Sequence, residues 1–393
     1  MIFASPRFVL ILAALLGIAS ANAAPSCLVY VGTYTDWELF GPPRRNPPGE
    51  RSRGIYVSRF DSETGKLSPP QLAAAADNPT YVTFAPSGKV LYATNEIYRF
   101  QGEPTGAISA FSIDAATGKL AFLNQVAARG TGTCHATVDA AGDHLFASNF
   151  GSGSVAVFPL TAEGSLRPAS ASAQDSGVGP NPRQATPHAH AFNVTPDNRH
   201  AIASEFSTDR LLLYRFDPAA GTLAAEPGET KFKPGSAPRH LAFHPNGEFA
   251  YSLNEIDSTV TVLRYDAVRG TLTVVETHST LPADFSGHNT AAEVVVHPSG
   301  KFLYASNRGH HSIAVFAIAA DGRLRLSGHA PSGGRTPRGF SVDPTGRWLI
   351  AANQDTHNLA VFALDPVTGL PRPTGQTEEV RTPVCVKFLS LRD

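Results

Sequence analysis

Three histidines, three arginines and two glutamates stand at equivalent places along this chain, and together they have the chemistry of an acyl-transfer site. His135, His190 and His240 titrate near neutrality and can move protons. Arg239, Arg308 and Arg338 each present a planar fork that fits a carboxylate or phosphate and can steady a developing oxyanion. Glu255 and Glu293 can orient an imidazole or a water, and Gln354 adds a neutral donor and acceptor. The catalytic expectation falls on His135, His190, Glu293 and Arg239. Substrate contacts are expected from Arg308, Arg338, Glu255, Gln354 and His240. No serine nucleophile elbow stands in the sequence, which favours direct attack by water over an acyl-enzyme. His188 and His190 have the spacing of a metal pair, but no third ligand is fixed, so neither a metal nor another cofactor is expected.

What could bring such distant residues together is a repeat. Tyr81–Gly88, His240–Gly247, Glu293–Gly300 and Gly339–Gly346 share one pattern, with weaker copies at His135–Gly142 and Ala191–Asn198. A period near fifty residues with several strands per unit marks a propeller. Each unit reads as a segment ending in a Pro-x-Gly turn and then three further strands, such as Phe249–Glu255, Thr259–Tyr265 and Gly270–Glu276. We term them a to d, with a nearest the axis. Strands over Leu28–Tyr34 and Gly54–Phe60 lack an a strand before them, while Pro383–Phe388 matches the a pattern at the far end of the chain. The expected fold is therefore all-β: a seven-bladed β-propeller with four antiparallel strands per blade. The C-terminal strand joins the N-terminal blade, closing the ring and removing an exposed edge.

This strand order sorts the connections. The a-to-b turns and c-to-d connections share the bottom face, and the b-to-c and d-to-a connections share the top. Starts of a strands and ends of b strands then meet at the top mouth of the channel. Those places hold Cys134, His135, His190, Arg239, His240, Glu293, Arg338 and Cys385, and Glu96, Asn149, Glu205, Asn254, Glu255, Asn307, Arg308, Asn353 and Gln354. The long connections at 36–53, 166–187 and 280–292 are all top connections, where function concentrates. The asparagines read as turn residues. His244, His297 and Arg347 fall near bottom turns and read as solvated.

Composition narrows the class. The 393 residues carry a formal net charge of -1, with 17% charged residues, 34 Gly and 31 Pro. Without a basic run no nucleic-acid partner is expected, and the Gly and Pro content suits short strands joined by turns. Arg7, the apolar stretch Phe8–Ala19 and Ala21-Asn22-Ala23 read as an export signal over 1–23. That leaves one propeller domain over 24–393, a periplasmic or secreted location, and no membrane contact after cleavage. A monomer acting on a small molecule is expected. Cys27 and Cys385 fall at opposite ends of the closing blade and Cys134 in the third, so no disulfide is expected.

The motifs Tyr30–Thr35, Thr133-Cys-His135, Pro187–His190, Pro238–Gly247, Asn254-Glu255, Ser306–Arg308, Pro337–Phe340 and Ala352–Gln354 resemble those of the β-propeller lactonases. That family includes 6-phosphogluconolactonase and is related to carboxymuconate cyclase. The resemblance spans nearly the whole chain after the export signal. It implies lactone hydrolysis at the channel mouth, with His135, His190, Arg239, Glu293, Arg308 and Arg338 around the site. Two alternatives stand beside it: a carboxymuconate-type cycloisomerase, and a non-enzymatic secreted propeller that binds a sugar acid. An export signal sits awkwardly with a phosphorylated cytosolic sugar lactone, which puts the substrate in question more than the reaction.

Overall fold

The computed structural model describes Met1, residues 26–36 and residues 51–391. The expected export signal, Met1 aside, and most of the 36–53 connection lie outside the described residues. Seven antiparallel sheets account for the rest, and the chain is a seven-bladed β-propeller. Blade 1 is composite: Ser26–Thr33 pairs on one side with Gly54–Asp61 and on the other with Pro383–Ser390. Blades 2 to 7 follow in chain order. Their a strands are Pro79–Phe84, Thr133–Val138, Ala189–Val194, Pro238–Phe243, Ala291–Val296 and Pro337–Val342. In blades 1 and 4 the d position is split between two short strands, Lys66–Leu67 with Gln71–Ala75 and Thr222–Leu223 with Gly228–Lys231.

The b strands explain why a residue period of two was visible although neither face meets water. Every residue of Val90–Asn95, Phe249–Asn254 and Phe302–Asn307 is buried. In Phe249–Asn254 what alternates is size. Phe249, Tyr251 and Leu253 fill the core between blades 5 and 6, while Ala250 lies in the core between blades 4 and 5. Both sheets send large side chains into each of these cores, Leu303 and Phe316 from blade 6 into the first and Leu263 and Tyr265 from blade 5 into the second, and small residues such as Ala250 leave room for the twisted sheets to interdigitate.

Polar ties run from blade to blade around the ring. A b-strand tyrosine donates to the glycine carbonyl in the next blade's c-to-d turn: Tyr30 to Gly118 (2.9 Å), Tyr92 to Gly164 (2.9 Å), Tyr251 to Gly322 (3.1 Å) and Tyr304 to Gly369 (3.0 Å). Across the closing seam Trp348 Nε1 donates to Ser62 O at 2.9 Å in the equivalent role. Tyr92→Phe should leave the buried Gly164 carbonyl unpaired and cost about 1–2 kcal/mol. The expected readout is a lower urea midpoint at unchanged m-value.

Three bottom-face residues reach across to the next blade, and two of them, the histidines, correct the sequence reading. His244 Nε2 bonds Gly300 O (3.0 Å), His297 Nε2 bonds Gly346 O (2.8 Å) and Arg347 donates to Ser62 O (2.6 Å). The two histidines are half-buried ties between blades, because adjacent turns crowd closely enough for one blade's side chain to reach the next blade's carbonyl; Arg347 makes the same reach while remaining exposed, as expected. Cys27 lies opposite Ser390 and Cys385 opposite Gly32, at opposite ends of one strand pair. All three cysteines are buried free thiols.

Candidate active site

The a strands do more than end at the channel. At the head of every one the ladder to strand b slips: Thr80, Cys134, His190, Arg239, Arg338 and Val384 have no opposite residue, and in blade 6 Ala292 and Glu293 are both passed over. Such bulges bend a strand and re-aim its side chains. Neighbours in sequence, which in a regular strand point to opposite faces, can then meet: Arg239 Nη1 lies 3.3 and 3.1 Å from the two ring nitrogens of His240. In five blades the residue before the strand, Asn78, Gly132, Ala237, Thr336 or Thr382, takes a positive φ to make the entry turn. For Ala and Thr that backbone is strained.

Aromatic rings from four blades meet at the axis. Tyr81 and His135 have centroids 4.4 Å apart, His135 and His240 5.2 Å, His190 and His240 5.2 Å, and Tyr81 and His240 5.9 Å. From blade 1, Lys387 Nζ donates to Tyr81 Oη at 3.0 Å. His240 Nδ1 lies 2.9 Å from Glu293 Oε1, with both side chains nearly inaccessible. The main-chain N–H of Phe192 donates to His135 Nδ1 at 3.3 Å. Cys134 Sγ–H points to His190 O at 3.3 Å and lies 3.9 Å from His190 Nδ1.

Burial pushes the pKa of all three histidines down, and Arg239 adds to it in each; Glu293 opposes the shift only at His240. Glu293 is pushed up by burial, but His240, Lys387 and Arg239 together hold it below its ordinary value. At neutral pH the pair is a neutral imidazole donating Nδ1–H to a carboxylate.

A second constellation lies beside the first. Glu255 accepts from three guanidinium groups: Arg239 Nε at 2.9 Å, Arg308 Nη2 at 2.8 Å, and Arg183. Burial works against its charge, and the three arginines overcome it, leaving the carboxyl well below the usual range. Arg338 donates to Tyr34 Oη at 2.9 Å and lies over that ring, and Tyr34 in turn donates to Glu96 (3.0 and 3.2 Å). Burial pushes Glu96 up, against Arg338, Thr80 and Tyr34.

His135, His190, Arg239, His240, Glu255, Glu293, Arg308 and Arg338 thus converge from blades 3 to 7. Gln354 is buried nearby on the same rim; its Nε2 donates to Asp355 at 3.2 Å, and its Oε1 has no partner among the described residues. Four cluster members were not expected: Tyr34, Tyr81, Lys387 and Arg183. Lys387 lies on the closing a strand, past its head, and Tyr81 opens the blade-2 repeat at the position that His135 and His240 hold in theirs. Tyr34 follows a b strand, and Arg183 sits in the long 166–187 connection already suspected of function.

Other expectations resolve as scaffolding. Asn149, Asn307 and Asn353 donate to the carbonyls of Ala128, Thr280 and Ser332, tying the b strands to the d-to-a connections. His188 does not pair with His190; it stacks on Phe150 (4.2 Å, 4°) and bonds that residue's carbonyl. Among the described residues no group of three His, Cys, Asp or Glu could hold a metal ion.

Glu205 is fully buried at the same rim. Its Oε1 accepts from the His188 and Ser207 N–H groups (3.0 and 3.2 Å), while Oε2 has no partner among the described residues. Burial, then Asp175, push its carboxyl up to about 8. A folded pKa above the unfolded one means stability present at low pH and lost as pH rises toward 8. Glu205→Gln, which cannot ionise, should gain on the parent by about 1.4 kcal/mol per pH unit across pH 5–8. Urea midpoints of both proteins at pH 5.5, 7 and 8.5 check this; parallel curves would contradict it.

Comparison with known proteins agrees with this architecture. The family model described as "Lactonase, 7-bladed beta-propeller" matches residues 28–388. The 6-phosphogluconolactonase of Bacillus subtilis is 36% identical over 361 residues, covering 92% of this chain and 97% of its own. Among solved structures, the periplasmic gluconolactonase of Pseudomonas aeruginosa superposes with a TM-score of 0.84 at 33% identity, covering 93% of this chain and 100% of its own. A Lactobacillus plantarum protein superposes with a TM-score of 0.82 at 32% identity, covering 93% of this chain and 99% of its own. By matched length, identity and blade architecture, the chain belongs to the seven-bladed β-propeller lactonase family.

Proposed function

We propose that this protein is an exported lactonase that hydrolyses a sugar-acid lactone at the axial cluster, with His240 as general base. The observation that carries the reading is the His240–Glu293 pair at 2.9 Å, with Arg239 against the same imidazole. A carboxylate that accepts from Nδ1–H makes Nε2 the acceptor of the ring; Arg239 Nη1 lies 3.1 Å from it, and water takes that place when the guanidinium turns to the substrate oxygen. The activated water attacks the ring carbonyl. Arg239 and the Nε2–H of His135, whose Nδ1 is occupied by Phe192 N–H, steady the oxyanion. When the tetrahedral intermediate collapses, the ring C–O bond breaks and His240 returns its proton to the departing alkoxide, giving the hydroxy acid.

In this reading the base is His240 in place of the expected catalytic histidines His135 and His190, and His135 acts as a donor; the Glu293 and Phe192 hydrogen bonds support that assignment. His190 lines the same space as a neutral imidazole. Arg308 and Arg338 face the substrate, Gln354 Oε1 is an acceptor for a sugar hydroxyl, and Glu255 organises the arginines. The names of the relatives, a 6-phosphogluconolactonase and a periplasmic gluconolactonase, support aldonolactones as the substrates and export as the setting. The test is a panel of aldonolactones followed by pH-stat, with and without chelator. Chelator-insensitive turnover of at least one member is expected. Folded protein that binds these compounds without turning any of them over would overturn the reading in favour of a binding propeller.

A further inference from the structure

The connection between blades 3 and 4 is built to deliver one side chain. Asn181 caps a 3-10 turn over Pro182–Gln184, its side chain accepting from Arg183 N while Gln184 reaches back to the Asn181 N–H. Gln184 is fully buried and its Nε2 donates to Phe206 O and Asp209 Oδ1, both at 2.8 Å. Between these anchors Arg183 projects over the Phe206 ring (5.2 Å) to Glu255 Oε1. Its side chain is 48% exposed, against 3% for Arg239 and 12% for Arg308, which share the same carboxylate. Arg183 is thus the outermost of the three guanidinium groups on Glu255, with N–H groups still facing solvent.

The charge around it is unbalanced. Among the described residues, the carboxylates that act most strongly on Arg183, Arg239, Arg308, Arg338 and Lys387 are Glu96, Glu255 and Glu293, five cations against three anions. A partly desolvated surplus of positive charge favours an anion. The carbonyl end of the site is set by His240 and Arg239, and Arg183 lies on the other side of Glu255, one carboxylate's width away.

Resting on the lactonase reading, we propose that Arg183 is the specificity-determining residue that binds an anionic substituent, a phosphate or carboxylate, remote from the lactone carbonyl. The planar fork on a rigid turn pre-organises that contact, and lysine cannot reproduce its geometry. The test compares glucono-1,5-lactone with its 6-phosphate in the parent, Arg183→Gln and Arg183→Lys, each checked for folding by circular dichroism. The ratio of kcat/KM for the phosphorylated over the neutral lactone should fall about 10- to 30-fold in Arg183→Gln, through KM, with Arg183→Lys between. Titration calorimetry with inorganic phosphate gives a readout independent of turnover, and Kd should rise about tenfold in Arg183→Gln. An unchanged ratio, or a parent that turns over only the neutral lactone, overturns the proposal while the lactonase reading stands. If the parent hydrolyses neither, that reading fails and the titration decides: weaker phosphate binding in Arg183→Gln supports the anion site, and equal binding overturns it.

Discussion

His240→Ala should lower kcat/KM for lactone hydrolysis by about a thousandfold while leaving the fold intact, the loss expected when a positioned general base is removed. The companion substitution is Glu293→Gln. Glu293 Oε1 holds the Nδ1 side of the ring and its charge raises the basicity of Nε2. An amide keeps the shape and loses the charge, so kcat should drop about 10- to 100-fold with little change in KM. The pH profile carries the sign. Burial and Arg239 depress the His240 pKa and Glu293 opposes them. The acid limb of kcat/KM in the parent should therefore lie below the ordinary histidine range near 6.5. In Glu293→Gln, with the opposing charge gone, it should move lower still. A limb that moves upward would mean the carboxylate does not act on the base.

Glu255→Ala should be the most destabilising single substitution in the axial cluster. It leaves three guanidinium groups without their common partner, two of them, Arg239 and Arg308, almost wholly buried. Breaking a buried ion pair from one side costs about 3–5 kcal/mol, because the remaining charge stays desolvated. Arg183 is half exposed and adds little to that sum. Activity should fall as well, by about 100-fold, because Arg239 loses the carboxylate that fixes its Nε and drifts from His240. Glu255→Gln keeps one acceptor oxygen and should be milder in both measurements. Urea denaturation at pH 7 with steady-state kinetics checks the pair; an alanine variant as stable and as active as the parent would show that the arginines find other partners.

The ring itself was legible because the Pro-x-Gly turns recur and because one strand is missing at the start and present at the end. Pairing of Ser26–Thr33 with Pro383–Ser390 follows from that bookkeeping of strands. The identities of most axial residues followed as well, since strand order alone fixes which ends face the mouth. What did not follow is who touches whom. His240 and Glu293 stand 53 residues apart on neighbouring blades, and nothing in either motif says that Nδ1 meets Oε1. The bulges were also invisible: a regular strand would send Arg239 and His240 to opposite faces, and only the slipped ladder brings them together. Tyr34 and Tyr81 stand in the motifs without a sign of their role; their hydroxyls join the cluster through Arg338 and Glu96 and through Lys387. The bottom histidines failed in the opposite direction, since turn residues in a lone blade would be solvated and in a closed ring are half-buried against the next blade.

The location of a bound aldonate, in a crystal of the protein grown with the product acid, tests the central claim most directly. Its carboxylate is predicted at the axis, within hydrogen-bond reach of His240 Nε2, Arg239 and His135 Nε2, with the sugar chain running past Glu255. An aldonate held elsewhere on the propeller at saturating concentration, with these three side chains untouched, would contradict the account.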